Sequence, residues 1–187
     1  EFEDLVTISD VATVIQRTEM VLRIGQEIER YINELGNEGR LIKMQLEELV
    51  SNVEEEGLAI VRDYEVDSEE EDQKFEGDEN IFKELSVESS DELLSLSAIS
   101  KYLGHGGNMS VLDLSISPRG YRLLKKIPRL PMAVIENLIK TFGDFQEILN
   151  ASIDELDDVD GVGEVRAQAI KEGLKRLRDQ VLLDRHI

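Results

Sequence analysis

The stretch VDGVGEVRA, residues 159–167, places a single valine between two glycines, immediately before a run of helix-forming residues. A turn of this kind at the start of a helix exposes backbone N–H groups that bind anions. Because glycine has no Cβ, the turn also lets a phosphate approach the backbone closely. The stretch therefore predicts a phosphate-binding turn that opens the last helix, which we expect from about residue 164 to residue 183.

A second copy of this pattern precedes it in the chain. Residues 124–138 and 156–170 each read as a helix end, a four-residue hairpin and a second helix. The arrangement resembles a tandem helix-hairpin-helix domain. In the first copy, the four-residue hairpin contains two prolines, Pro128 and Pro131, and no glycine, and proline has no N–H to donate. We therefore expect the first hairpin either to contact a phosphate less well or to serve as a packing partner.

The candidate DNA-binding residues either belong to a hairpin or carry a positive charge close to one. We expect the N–H groups of the second turn to point outward, its central valine to fill the space between the helices, and the arginine that follows to add charge. Such contacts position a protein on a nucleic-acid backbone but carry no sequence information. The candidates are Gly161, Val162, Gly163, Val165, Arg166, Lys171, Lys175, Lys125, Lys126 and Arg129. For the last three, a solvated surface is an equal alternative.

The charge of the chain is unevenly distributed. The whole sequence has 21 Lys and Arg against 41 Asp and Glu, a formal net charge of −20. Residues 116–187 hold 12 of each sign, so the entire excess lies in residues 1–115. Because the Debye length is about 8 Å at physiological salt, a distant acidic segment need not prevent phosphate contact at the hairpins. Asp157, Asp158 and Asp160 lie next to the turn itself, however, and keep a protein-docking role open as the alternative.

The N-terminal part predicts a long antiparallel helical pair. A helix from Ser9, its expected N-cap, to residue 35 carries an apolar seam at alternating spacings of three and four. Glycines 36 and 39 mark a turn, and a second helix follows from about Arg40. The expected inward residues are Val11, Val14, Thr18, Val21, Gly25, Ile28, Ile32 and Leu35 on the first helix, and Leu41, Met44, Leu49, Val53 and Leu58 on the second.

Acidic residues dominate the segment that follows. Residues 63–92 contain 14 Asp and Glu against two Lys, and we expect a solvated connector at about 64–80. A third helix is expected from Ser89, with Glu92 completing a capping box, to Leu103, with a stop at the glycines of residues 104–107. No segment alternates with the period of a strand. The prediction is an all-α chain, with a helical spine region at 1–112 and a compact tandem helix-hairpin-helix domain at 113–187.

Composition excludes several classes of site. The chain has no cysteine, so thiolate metal sites and disulfides are impossible. It has two histidines, which leave few ligands for a histidine-based metal site. No apolar run approaches the roughly 20 residues of a membrane span. We find no nucleophile–base or metal-ligand pattern, and therefore predict no catalytic residues and no metal site. The first residue is Glu1, and we expect the chain to be a piece of a longer protein.

Nearly the whole chain resembles one bacterial family. EFEDLVTISDVATVIQRTEMVLRIGQEIERYINELGNEGRLIKMQLEEL (residues 1–49) is similar to the central helical region of the DisA family of DNA integrity scanning proteins. SPRGYRLLKKIPRLP (117–131) and IDELDDVDGVGEVRAQAIKEGLKRL (153–177) resemble its C-terminal helix-hairpin-helix domain. The resemblance implies a spine within an octamer and a terminal domain that binds branched DNA such as Holliday junctions. It also implies an N-terminal domain that condenses two ATP molecules into cyclic di-AMP, restrained when branched DNA binds.

The catalytic motifs of that family, Asp-Gly-Ala and Arg-His-Arg, do not occur in this sequence. The resemblance therefore implies a non-enzymatic chain without cofactors of its own, because ATP and Mg²⁺ or Mn²⁺ would belong to the cyclase domain. Its expected partners are branched DNA, further copies of itself through the spine, and recombination or repair proteins, with no membrane. The expected location is the cytoplasm, in association with the nucleoid. The alternative is a docking or oligomerisation module for repair proteins, without direct DNA contact.

Overall fold

A computed structural model describes residues 6–66, 81–93 and 95–184 of the chain. The chain divides into two compact units, residues 1–116 and 117–187. Within the described residues there is no strand, only an isolated bridge between Thr7 and Ser115, and the all-α prediction is confirmed. The domain boundary that the sequence predicts, after residue 112, falls just before this division. None of the helices in the described ranges is both long and apolar enough to cross a membrane.

Two long helices dominate the first unit. Helix α1 spans Ile8–Glu34 and α2 spans Arg40–Tyr64, and a 3-10 turn at Gly36–Gly39 joins them. A short connection makes successive helices antiparallel neighbours. The predicted helical pair and its turn are therefore confirmed.

Glycines let the two long helices approach closely. A Cβ built on Gly25 would lie 2.6 Å from Cγ2 of Val50, and one built on Gly57 would lie 2.6 Å from Cγ2 of Thr18 and 2.7 Å from Cζ of Phe82. Nonbonded carbon atoms essentially never come this close. The two glycines therefore set the distance between α1 and α2.

Only half of the predicted seam on α1 is buried. Val11, Thr18, Gly25 and Ile32 face the interior as expected, and Val14 is half-buried against the core. Val21 and Ile28 are exposed, and the buried face continues instead through Ile8, Ile15 and Leu22. The reason is that α1 packs against α3 and α5 as well as α2, which rotates its buried face by one residue. Leu35, at the end of the predicted seam, is exposed.

The inward face predicted for α2 is largely wrong. Leu41, Met44 and Leu49 are exposed, and Val53 and Leu58 are half-buried. The buried residues lie in the last turns of the helix: Gly57, Ile60, Val61, Asp63 and Tyr64. The core of the first unit therefore lies at the α1 N-terminus and the α2 C-terminus, where the shorter helices pack.

The first turn of α1 is stabilised by a capping box. Oγ1 of Thr7 accepts a hydrogen bond from the backbone N–H of Asp10 at 3.2 Å, and the Asp10 carboxylate accepts one from the backbone N–H of Thr7 at 2.9 Å. The Thr7 hydroxyl also donates to the Asp10 carboxylate at 2.8 Å, and this bond, followed by the one from the Thr7 backbone N–H, lowers the pKa of the Asp10 carboxyl. The N-cap is therefore Thr7, and the prediction of Ser9 as the N-cap is wrong.

Three short helices complete the core of the first unit: α3 at Ile81–Val87, α4 at Ser90–Leu93 and α5 at Leu96–Tyr102. The sequence predicted a single helix from Ser89 to Leu103 and missed α3, which buries Ile81, Phe82 and Leu85. The bonds between Ser89 and Glu92 confirm the predicted capping box. Most of the predicted acidic connector, residues 67–80, lies outside the described residues.

An arginine connects α1 to α3. Arg23 donates from Nε to Oε1 of Glu19 at 2.8 Å, and from Nη2 to the carbonyl oxygens of Leu85 at 2.6 Å and Glu88 at 3.0 Å. Glu19 is only 1% exposed. Burial raises the pKa of its carboxyl, and the Arg23 guanidinium opposes that shift. The guanidinium of this ion pair thus donates hydrogen bonds to carbonyl groups at the end of α3.

The second unit contains five helices within the described residues: α6 at Tyr121–Leu124, α7 at Met132–Phe142, α8 at Phe145–Asn150, α9 at Ile153–Asp157 and α10 at Glu164–Asp184. The sequence Ser117-Pro118 predicts a helix that begins there and runs to Lys126, but α6 is shorter. Gly120 is its N-cap with φ 115°, and the carbonyl of Pro118 accepts the N–H of Phe145 instead of opening a helix. The sequence also predicts a helix end at Gly143 and helix caps at Asp144 and Ser152, and all three are confirmed.

The two helix-hairpin-helix copies share one apolar core. Its fully buried members come from both copies, among them Leu124, Ile135, Leu138, Ile148, Leu156, Ala167, Ile170 and Leu174. The sequence predicts a buried stripe on α10 formed by Ala167, Ile170, Leu174, Leu177 and Val181. The first three are buried and Leu177 is half-buried, while the side chain of Val181 lies outside the described residues. The core holds both hairpins at fixed positions within this unit.

Candidate nucleic-acid interface

The second hairpin connects α9 to α10 and takes its shape from two different glycines. Gly161 adopts φ 80°, a left-handed conformation that favours glycine. Gly163 has no such φ, and a Cβ built on it would meet nothing within 4 Å. The backbone at Gly163 therefore faces open space, where a ligand can approach it.

Backbone donors are available where the hairpin enters α10. The N–H groups of Arg166 and Ala167 both donate to the carbonyl of Gly163, at 2.8 and 2.9 Å. Among the described residues, no backbone carbonyl accepts the N–H groups of Gly163, Glu164 or Val165. These three donors are the unsatisfied end of a 21-residue helix, and they lie where its dipole is positive.

The apolar residues of this hairpin divide into two roles. Val162 is 5% exposed and belongs to the core of the second unit, as the sequence predicts. Val165 is 87% exposed. The first valine anchors the turn between the helices, whereas the second presents an apolar side chain to solvent beside the free donors.

Two side chains hold the hairpin backbone in place. The Arg166 guanidinium donates from Nη1 to the carbonyl of Gly161. From α7, Nδ2 of Asn137 donates to the carbonyl of Asp160 at 2.9 Å. Sequence reasoning missed Asn137, because a single asparagine in the middle of a helix carries no signal of its contacts. Both bonds restrain carbonyl groups of the turn, and neither involves its N–H groups.

Lys171 is occupied within the protein. Its Nζ donates to the carbonyl of Leu149 at 2.8 Å and to the carbonyl of Ala151, both at the end of α8. A lysine at this position satisfies carbonyl groups that a helix leaves without donors. Lys175, one turn further along α10, is exposed. The two lysines, both candidate DNA-binding residues, therefore have different surroundings.

Acidic groups also lie near the second hairpin. Asp157, Asp158 and Asp160 are exposed on the approach to the turn. Glu155 caps α9: its carboxylate accepts the backbone N–H and hydroxyl of Ser152, and these bonds lower the pKa of the carboxyl, with a smaller effect from Lys171. In the described part of the chain, no three histidine or carboxylate side chains converge to hold a metal ion.

The first hairpin presents its positive charge differently. Arg129 adopts φ 62°, unusual for a residue with a side chain, and its side chain is exposed. Lys125 and Lys126 are exposed in the turn that follows α6. The pKa of the Lys126 ammonium is lowered, mainly because the group is partly desolvated and to a smaller degree because of the positive charge of the nearby Arg122.

The two hairpins meet along one surface groove. Residues 127–130 of the first hairpin form one side, and residues 163–166 at the start of α10 form the other. The structure thus brings together four candidates from the two copies: Arg129, Gly163, Val165 and Arg166. Lys125, Lys126, Lys171 and Lys175 do not line the groove. The sequence predicted both hairpins, but nothing in their spacing showed that they share a surface.

Comparison with known proteins places the chain in a family. Residues 1–112 match the DisA bacterial checkpoint controller linker region, and residues 144–173 match the helix-hairpin-helix motif. The DNA integrity scanning protein DisA of Carboxydothermus hydrogenoformans is 59% identical over 180 residues, covering 96% of this chain and 50% of that protein.

Two relatives from Clostridium botulinum carry the same name. The protein from strain Eklund 17B is 53% identical over 187 residues, which cover 100% of this chain and 51% of that protein. The protein from strain Langeland is 52% identical over 185 residues, which cover 99% of this chain and 50% of that protein. The chain spans about half the length of these relatives. Since the linker region alone accounts for more than half of its residues, the chain belongs to the DisA family.

Proposed function

We propose that the second unit binds the DNA backbone without sequence preference, and that branched DNA such as a Holliday junction is its preferred form. The observation that carries this proposal is the row of free N–H groups at Gly163, Glu164 and Val165, beside Arg129 and Arg166. Membership of the DisA family and the helix-hairpin-helix match support DNA as the partner.

A phosphate of one strand binds at the start of α10. The three N–H groups donate to its oxygens, and the positive end of the helix dipole adds to the attraction. Gly163 permits this approach because it has no side chain on the exposed face. Arg129, across the groove, reaches a neighbouring phosphate as a point of positive charge. All of these contacts are to the backbone, so they read the shape of the DNA and not its sequence.

The first unit serves as a spine through which copies of the protein associate, as an octamer in the complete protein. Large apolar side chains are exposed along α1 and α2, among them Ile24, Tyr31, Leu41, Met44 and Leu49, of which Leu41 is 67% exposed. Exposed apolar surface, where it is contiguous, is typical of an interaction site, and we propose that these side chains form one. Its net negative charge keeps the spine itself away from DNA.

The chain itself is not an enzyme in this proposal. The condensation of two ATP molecules into cyclic di-AMP, with its Mg²⁺ or Mn²⁺, belongs to the half of the family's proteins that this chain does not span. Bound branched DNA restrains that activity through the spine. The protein works in the cytoplasm, at the nucleoid, together with recombination or repair proteins.

A gel-shift titration tests the DNA proposal. A four-way junction and a linear duplex of the same length are titrated with the chain at several salt concentrations. We expect the junction to bind more tightly, and both affinities to fall as salt rises. Binding that does not depend on salt, or no binding at all, would favour the alternative, a module that docks repair proteins without touching DNA.

A further inference from the structure

The groove between the hairpins has a composition that phosphate binding does not require. It has a volume of about 580 Å³, within the range of small-molecule sites. Its walls include Ile127, Pro128, Leu130, Val165 and Ala169, all apolar. A phosphate gains nothing from apolar walls, because its oxygens need donors and positive charge.

Charged groups border these apolar walls. Arg129 and Arg166 line the groove from opposite hairpins, and Glu164 lines it beside the free N–H row. The site therefore combines flat apolar surface, positive charge on two sides and one carboxylate acceptor. A nucleobase in its strand has matching chemistry: an apolar face, amino groups at its edge, and a phosphate on either side.

We propose that this groove accepts a single unstacked nucleobase from the strand whose phosphate binds at the start of α10. The proposal rests on the DNA-binding function given above. The base lies against Val165 and the apolar side of the first hairpin, and the two arginines face the phosphates that flank it. The Glu164 carboxylate accepts a hydrogen bond from an exocyclic amino group of the base, which favours bases that carry one.

This arrangement gives the protein a means of selecting damaged or branched DNA. Removing a paired base from a duplex costs a few kcal/mol, and the cost is smallest where the base is already unpaired. A groove that holds an extruded base therefore binds best where pairing is interrupted. The exposed position of Val165 serves this purpose, because a side chain buried in the core would be unable to contact DNA.

The test compares two DNA duplexes that differ only in the presence of one base. Both carry a one-nucleotide bulge, in one an adenine and in the other an abasic nucleotide with the same backbone. Fluorescence anisotropy with the full chain gives the affinity for each bulge and for an uninterrupted duplex. We expect the adenine bulge to bind roughly five- to tenfold more tightly than the abasic bulge. In a second measurement, 2-aminopurine in the bulge should change its fluorescence on binding.

Variants locate the preference in the groove. Ala169→Leu narrows it and Val165→Ser removes its exposed apolar wall, and both should reduce the preference for adenine to less than twofold. Gln168→Leu is the matched control: it places a leucine at an exposed position that does not line the groove, and should leave the preference unchanged. Thermal unfolding of each variant shows that it is folded.

The outcomes separate this proposal from the one on which it rests. If the chain binds duplex and both bulges equally, DNA binding stands and the base site is refuted. If the chain binds none of them, both proposals fail. A preference for adenine that survives in Val165→Ser and Ala169→Leu would also overturn the assignment, because the base would then be held elsewhere.

Discussion

The two glycines of the second hairpin serve different purposes, and substitution should separate them. Gly163 faces open space without a left-handed φ, so Gly163→Val should leave the thermal unfolding temperature nearly unchanged while its side chain blocks access to the N–H row. DNA affinity should fall at least tenfold. Gly161→Val should instead lower the free energy of unfolding by about 1–2 kcal/mol, since φ is 80° at that residue. Normal DNA binding by a folded Gly163→Val variant would contradict the proposed phosphate site.

Two lysines on α10 offer a matched pair. Lys171 donates to carbonyl groups at the end of α8, so Lys171→Met should lower the free energy of unfolding by about 1–2 kcal/mol. Lys175 is exposed, so Lys175→Met should leave stability within about 0.5 kcal/mol. If Lys175 contacts a phosphate, its removal should reduce the slope of log affinity against log salt by about 1. Denaturant unfolding and a salt titration of DNA binding distinguish the two roles, and equal loss of stability in both variants would contradict them.

Residue types and spacing predict the candidate site only in part. The Gly-x-Gly turn, its buried Val162 and the repeated hairpin all follow from local sequence, because turn geometry depends on neighbouring residues. The groove, the Asn137 bond and the engaged ammonium of Lys171 depend on how α7, α8 and α10 pack together. No local pattern encodes those contacts. The sequence therefore does not distinguish a lysine that donates to carbonyl groups of its own chain from a lysine that is free to contact DNA.

At the scale of helices, α1 and α3 show where periodicity is insufficient. Two seams, one through Val14 and Val21 and one through Ile15 and Leu22, fit the same heptad spacing and differ by a rotation of one residue. The packing of α3 and α5 selects the second. Helix α3 was not predicted because it lies in a segment rich in acidic residues. The composition of that segment indicated a solvated connector, although α3 buries three apolar side chains.

The contact at Gly57 offers a test of how these helices pack. Because a Cβ there would lie 2.6 Å from Thr18 and 2.7 Å from Phe82, Gly57→Val should force α1, α2 and α3 apart. We expect the free energy of unfolding to fall by about 1–3 kcal/mol, the range for an overpacked core. Gly107→Ala is the control, since the nearest atom lies 3.8 Å away from the added carbon. Denaturant unfolding measures both, and an unchanged midpoint for Gly57→Val would show that the helices are not in contact there.

At the scale of the whole molecule, the exposed apolar surface of the spine should decide its state of assembly. If Leu41, Met44 and Leu49 mediate contact between copies, then Leu41→Glu combined with Leu49→Glu should shift the protein to lower mass at equal concentration. Helicity should be retained, because both side chains are exposed in the single chain. Analytical ultracentrifugation gives the mass, and circular dichroism gives the helicity. A chain that is monomeric before substitution would contradict assembly through this surface alone.

The separation of charge between the two parts of the chain predicts an unusual salt dependence. Residues 1–115 carry the whole net charge of −20 and residues 116–187 carry none. Long-range repulsion by the acidic part slows encounter with DNA at low salt and is screened as salt rises. The fragment 113–187 should therefore bind DNA more tightly than the full chain at low ionic strength, and the difference should narrow with added salt. With about two to four phosphate contacts, log affinity for duplex should fall with log salt at a slope of about −0.9 per contact.

An assembled spine would change the sign of that difference. An assembly that carries several copies of the second unit raises the local concentration of DNA-binding sites. This avidity outweighs repulsion when several of these units bind one DNA molecule. Leu41→Glu with Leu49→Glu should then weaken DNA binding by the full chain, while the fragment, which lacks both residues, is unaffected. If the full chain binds more tightly than the fragment at every salt concentration and the double variant binds equally well, neither repulsion nor avidity acts. The acidic part would then contact DNA directly, contrary to the role proposed for the spine.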